Sequence, residues 1–186
     1  MTLTQSRYNV LRKGNVAPAF DLIGVDNKKH SLLQYTGKKA YLVIFMCNHC
    51  PYVVPKFRYI KELFEKYESK GLAMFGINSN DTEAYGEDDM AHMKKYYNAQ
   101  KFRFYYLLDE TQETAKKYGA TCTPDPFLFD SEKKLVYHGK IDDAHMKTHE
   151  EAKTNELEEA IQQVLEGKEV TVKEEPSMGC NIKWKN

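Results

Sequence analysis

Residues 40–50 read AYLVIFMCNHC, and Pro51 follows. From Ala40 to Cys47 every side chain is apolar, with Val43 and Ile44 β-branched. Such a run, eight residues long and closed by polar neighbours, predicts a strand buried on both faces, as at the centre of a parallel sheet. Downstream, Val53, Phe57, Ile60, Phe64 and Tyr67 recur every three or four residues and Gly71 follows. That pattern predicts an α-helix with one apolar stripe and a glycine at its end. Pro51 is tolerated in the first turn, where its missing N–H is not needed. Cys47 and Cys50 therefore fall between a buried strand and a helix, close enough to reach disulfide distance without large backbone movement. Cys47 is expected beyond the helix N-terminus, where free N–H groups and the dipole stabilise a thiolate, the nucleophile of thiol–disulfide exchange. Cys50, one turn inward, is expected to resolve a mixed disulfide. His49 offers a cation beside Cys47, which favours the reduced form and makes the disulfide more oxidising.

Outward from this unit the pattern alternates. Residues 72–77, 104–108, 127–130 and 135–138 read as strands. Helices are predicted around Met90, Met93 and Tyr97, between Asp109 and Gly119, and along Leu157, Ile161, Val164 and Leu165. Asp109 with Gln112, and Asn155 with Glu158, have capping-box spacing. Strands alternating with helices point to an α/β domain. The acidic stretch Asp81, Glu83, Glu87, Asp88 and Asp89 lacks the spacing of a calcium loop and reads as a solvated segment. His145 and His149, four apart near Asp142 and Asp143, have no HExxH context and read as a solvated helix.

Composition excludes several classes. With 41% apolar residues, 13 Tyr and 9 Phe in 186 residues, the chain has the means to build a core and is not disordered. Its 27 basic and 27 acidic residues balance, so nothing electrostatic draws it to nucleic acid or an anionic membrane. The longest apolar run is far short of the roughly 20 residues that span a bilayer. No apolar signal segment opens the sequence, and four cysteines are too few for a disulfide scaffold, so a reducing cytoplasmic setting is expected. There, a closely spaced cysteine pair points to redox chemistry or metal rather than architecture.

A second passage, Thr121-Cys122-Thr123-Pro124-Asp125-Pro126-Phe127, precedes a predicted strand. A strand–CxxC–helix unit followed by a Thr-Pro step resembles the thioredoxin fold, in the branch of redoxins called alkyl hydroperoxide reductase/thiol-specific antioxidant, or peroxiredoxin-like. Residues 14–22 (GNVAPAFDL), the insertion after Ile77, residues 108–119 (LDETQETAKKYG) and residues 127–139 (FLFDSEKKLVYHG) are similar to that family. HGKIDD and GCNIKWK resemble a peroxiredoxin-like subgroup. The resemblance implies a central mixed sheet flanked by helices, with an N-terminal extension and an insertion after the second core strand. Residues 1–166 would be the redoxin domain and 167–186 a tail carrying Cys180. It also implies Cys47 as nucleophile, Cys50 as resolving thiol and Pro124 as a cis-proline facing them. Thr123 would be the residue whose backbone pairs with an incoming substrate strand.

The departures from the family are specific. Ile44 and Ala40 stand where peroxiredoxins carry a hydroxyl residue and a proline, so the group that orients a peroxide is absent. Tyr41 stands where thioredoxins carry a buried Asp, and a carboxylate assisting Cys50 would come from elsewhere, Asp142 or Asp143 being candidates. Cys122 is either a small buried residue or a third redox partner. Cys180 is either an alternative resolving thiol or a free surface thiol in a flexible tail, and Trp184 beside it suggests that the tail docks. The expected activity is dithiol–disulfide exchange with protein or small-molecule substrates, using a separate reducing partner, no organic cofactor and no metal. Two alternatives stay open: a thiol peroxidase with Cys47 as the peroxidatic residue, and zinc binding by Cys47, Cys50 and one of Cys122, Cys180 or His49.

Overall fold

The apolar run at 40–47 becomes β4 (Ala40–Phe45), and every side chain from Ala40 to Met46 is at most 1% exposed. The computed structural model describes residues 2–186. Around β4 the chain lays down, in order, β1 (Leu3–Gln5), β2 (Asp21–Gly24) and β3 (Lys29–Ser31) before it, then α1 (Phe57–Tyr67), β5 (Leu72–Asn78), α2 (Met90–Gln100) and β6 (Tyr105–Leu108). There follow α3 (Glu113–Tyr118), β7 (Cys122–Thr123), β8 (Asp125–Phe129), β9 (Leu135–His138), α4 (Glu156–Leu165) and β10 (Met178–Asn181). Seven strands form one mixed sheet in the order β3-β2-β6-β5-β4-β8-β9. Its centre is parallel, β4 with β5 and β5 with β6, while β8 joins β4 antiparallel.

Alternation along β4 sends its side chains to opposite faces. Ala40, Leu42 and Ile44 pack with Ile60 and Phe64 of α1 and with Leu157 and Ile161 of α4. Tyr41, Val43 and Phe45 pack on the other face with Ala115 and Tyr118 of α3 and with Phe20 and Leu32. The sheet is thus covered on both sides, as its continuous apolar strands require.

Local chemistry departs from the sequence reading in four places. The α-helix after the cysteines begins at Phe57 and not at Pro51; residues 51–53 form turns and Val54–Lys56 a 3-10 turn. Pro55 explains this, since it has no N–H to give the carbonyl four residues back. Asp109 caps α3 by accepting the N–H groups of Thr114 and Ala115 at 3.2 and 2.9 Å, but Gln112 does not complete a capping box. Its amide instead donates to the carbonyls of Ser79 and Lys183. Asn155 does not cap α4; its side chain bonds Tyr59 and Glu158. No helix forms at His145, and His149 opens a short 3-10 turn with Nδ1 2.8 Å from Asp142 Oδ2. Asp142 also holds buried Lys56 at 2.6 and 2.8 Å, a spot that sequence left solvated.

The tail is built into the body. β10 lies between β1 and β7 in a second, three-stranded antiparallel sheet. Ile182 is fully buried, the Lys183 N–H donates to Asn80 Oδ1, and Ser177 Oγ donates to the carbonyl of Pro124. Cys180 is 5% exposed, which removes the flexible-tail and free-surface-thiol readings. Among the described residues no helix is long and apolar enough to cross a membrane.

Candidate active site

Cys47 follows β4 directly, after Met46 extends the β5 pairing by one hydrogen bond to the Ile77 carbonyl. The next turn is held by Cys50, whose carbonyl accepts the N–H groups of Val53 and Val54, both at 2.9 Å. The Thr123–Pro124 peptide is cis, and Thr123 faces both sulfurs. Cys47 Sγ lies 3.6 Å from Thr123 Oγ1, and Cys50 Sγ lies 3.2 Å from the Thr123 carbonyl oxygen. The two thiols also lie close enough to act on each other's acidity.

That mutual interaction governs their acidity. The bond to Cys50 comes first among the causes that push the Cys47 thiol well above its ordinary value, followed by burial and by the negative charge of Asp88. Cys50 is pulled down to about 5, chiefly because Cys47 donates to it, with burial opposing and the Cys180 and Tyr52 amides assisting. The Thr123 side chain also lowers Cys50, while the Cys50 thiol donates to the Thr123 carbonyl at 3.2 Å. The pair therefore titrates as a unit, and its acidity belongs to both thiols together. The surroundings of Cys47 differ from the helix N-terminus expected, since Cys47 is 1% exposed and α1 starts ten residues later.

A buried carboxylate does stand beside the cysteines, and it is Asp88. Its oxygens accept the Asn48 N–H at 2.9 Å and Asn80 Nδ2 at 2.7 Å, and one lies 2.9 Å from His49 Nδ1. Asn48 is fixed further by donating to the Glu87 carbonyl and by accepting the hydroxyl of buried Tyr106. Asp88 raises the pKa of His49 by direct bonding and charge, against the effect of burial. Tyr85 stacks over the imidazole at 6.3 Å with planes 6° apart. Sequence reading placed Asp88 in a solvated stretch; it is 0% exposed. Asp142 is occupied with Lys56 and His149, and Asp143 accepts the Lys153 and Thr154 amides, so neither reaches the cysteines.

Of the remaining candidates, Cys180 joins the cluster and Cys122 does not. Cys122 is fully buried, its sulfur 3.9 Å from the Ser177 carbonyl, and burial drives its thiol upward. Those are the surroundings of a small core residue. The Thr123 edge, which the resemblance reserves for substrate, is filled by this chain's own β10, with Cys180 opposite Thr123. For a metal, Cys47, His49 and Asp88 bring one donor atom each within 4.8 Å of one another. This set differs from the one expected, and the His49–Asp88 ion pair already uses two of its donors.

Comparison with known proteins agrees with this geometry. Thiol-disulfide oxidoreductase ResA of Bacillus cereus is 27% identical over 133 residues, covering 70% of this chain and 71% of that protein. Peroxiredoxin Q, chloroplastic, of Oryza sativa subsp. japonica is 25% identical over 107 residues, which span 46% of its length. The crystal structure of an uncharacterized conserved protein from Geobacillus kaustophilus superposes with a TM-score of 0.92 at 39% identity, covering 100% of this chain and 97% of that one. The fold is thioredoxin-like: the thioredoxin domain of a thiol-disulfide oxidoreductase from Bacteroides vulgatus superposes with a TM-score of 0.59 at 24% identity, covering 69% of this chain and 88% of that one. The family model described as Redoxin matches residues 12–157, and the chain belongs to that family.

Proposed function

We propose that Cys47 and Cys50 form the dithiol/disulfide pair with which this protein, a thiol–disulfide oxidoreductase, exchanges with substrate disulfides or dithiols. The observation that carries the reading is the pair of buried sulfurs set against Thr123, at 3.6 and 3.2 Å, beside cis-Pro124. The CxxC pair as redox centre, and the peroxiredoxin-like branch within the family, are parts of the same proposal. Cys47, as the thiolate, attacks a substrate disulfide, and the first substrate sulfur leaves as thiolate. That thiolate takes up the proton of Cys50. Cys50 then attacks Cys47 Sγ, the mixed disulfide breaks, and the second substrate sulfur leaves. Two electrons move from the cysteine pair to the substrate, and the reverse order oxidises a dithiol. His49 lies where it stabilises negative charge developing on Cys47.

Substrates are protein or small-molecule disulfides, and a separate thiol donor in a reducing cytoplasm returns the pair to the dithiol. Cys47 is closed off at rest, so exchange requires the Tyr85–His49 cover or β10 to yield locally. The peroxidase alternative is less favoured, because Ile44 provides no hydroxyl for a peroxide.

The test is a disulfide-reduction assay on variants. Cys47→Ser is expected to abolish exchange, and Cys50→Ser to attack slowly and accumulate a mixed disulfide. Full turnover by Cys50→Ser would overturn these roles. Catalysed peroxide loss that passes through a Cys47 sulfenic acid would replace the reading with peroxidase chemistry.

A further inference from the structure

The edge beside Thr123 is occupied by a strand that ends in a third thiol. β10 pairs antiparallel with β7, setting Cys180 opposite Thr123 and Asn181 opposite Cys122. The approach is close at Gly179: a Cβ there would sit 1.9 Å from the Thr123 carbonyl oxygen, so a side chain could not be accommodated without moving the strand. Ser177 fastens the entry to β10 by donating to the Pro124 carbonyl. The same Thr123 carbonyl is 3.2 Å from Cys50 Sγ, so one peptide unit links the CxxC turn to the tail. Cys47, Cys50 and Cys180 share one buried cluster, and Cys50 is the thiol whose acidity responds to both of the others.

We propose that Cys180 is an internal exchange partner of Cys50, delivered by a tail strand that occupies the substrate-docking edge of Thr123. The proposal rests on the Cys47–Cys50 reading above. Once a substrate has oxidised the pair, the Cys180 thiolate attacks Cys50 Sγ of the Cys47–Cys50 disulfide. The Cys50–Cys180 bond forms, the Cys47–Cys50 bond breaks, and Cys47 leaves as thiolate and takes up the proton that Cys180 lost. No electrons enter or leave, so no further oxidant is needed. The oxidised protein then holds its disulfide on the tail and regains a thiol at Cys47.

The timing follows from the charges. In the reduced protein Cys180 is pushed up to about 12, by burial first and then by its bond to Cys50 and the charge on Cys50. Oxidation removes the interaction with Cys50 and its charge, while burial and the opposing charge of Lys183 remain. Cys180 is therefore easier to deprotonate when there is a disulfide to attack than in the reduced protein.

The experiment uses the full chain in dithiothreitol redox buffers, with acid quenching, alkylation and peptide mapping. Wild type is expected to give both Cys47–Cys50 and Cys50–Cys180 species, the second with Cys47 alkylated. In Cys47→Ser, the alkylation of Cys50 and Cys180 is expected to be lost together as the buffer becomes oxidising. Cys180→Ser is expected to retain Cys47–Cys50 alone, and Gly179→Ala to lower the yield of Cys50–Cys180 by displacing β10. If wild type forms only Cys47–Cys50 and Cys180 stays fully alkylated, this proposal is overturned while the oxidoreductase reading stands. If wild type forms no disulfide at Cys50 under any poise, both fall. Circular dichroism checks that Cys47→Ser is folded, and the wild-type mapping decides the matter without it.

Discussion

Replacing Asp88 with Asn removes a buried carboxylate beside Cys47 and His49. Donor atoms of Cys47, His49 and Asp88 lie within 4.8 Å of one another. At that separation and an effective dielectric of about 20, a unit charge costs a forming Cys47 thiolate roughly 3.5 kcal/mol, or about 2.5 pKa units. A protonated His49 cancels much of this field, so the full effect appears only above the pH at which His49 loses its proton. Asp88→Asn should therefore lower the Cys47 pKa by about one to two and a half units. It should also release His49 from the partner that raises its own pKa. The variant carries a stability cost of about 1–3 kcal/mol, because an amide presents one oxygen where Asn48 and Asn80 now donate to two. The assay is the rate of iodoacetamide alkylation of Cys47 against pH, in a Cys50→Ser background that uncouples Cys47 from its partner thiol. A midpoint that stays put or rises, in a variant shown to be folded, would refute the electrostatic reasoning.

His49→Ala leaves Asp88 uncompensated beside Cys47, so the disulfide should become less oxidising by roughly 20–45 mV, about 1–2 kcal/mol for a two-electron couple. A redox titration showing an unchanged or more oxidising potential would contradict the charge role. Asp142→Asn strands Lys56, whose side chain is 3% exposed, and should cost about 3–5 kcal/mol by urea unfolding. The double variant Lys56→Met/Asp142→Asn should recover part of that loss. Burial raises the pKa of Glu158, but Lys66, Asn155 and Tyr67 prevail and hold it near 2. Since the folded pKa lies below the unfolded one, this stabilisation is full above about pH 4.5 and is lost as pH falls towards 2. Wild type should lose stability of order 2 kcal/mol across that window, and Glu158→Gln should flatten the profile.

Sequence patterning was informative where physics acts locally. The apolar run at 40–47 could satisfy its burial only inside a covered sheet, and β4 is that strand. The Cys47–Cys50 spacing and the Thr123–Pro124 step pointed to residues that the fold brings into contact. Elsewhere the deciding interactions are long-range. Asp88 looks like any residue of an acidic stretch until the insertion after β5 folds its carboxylate onto the Asn48 amide, 40 residues away. Cys180 sits in MGCN, which has no strand periodicity; its place depends on pairing with Thr123 and on Gly179 allowing that approach. The delayed start of α1 was readable in principle, since Pro55 lacks the N–H that a helix from Pro51 needs.

A redox titration of the full chain, with alkylation and mapping of all four cysteines at each poise, bears on the whole mechanism. A reversible two-electron couple between about −270 and −120 mV, with Cys47–Cys50 as the first disulfide formed, is the expected result. Cys47 and Cys50 remaining alkylatable at every poise, or Cys47 passing to sulfinic acid without pairing, would contradict it.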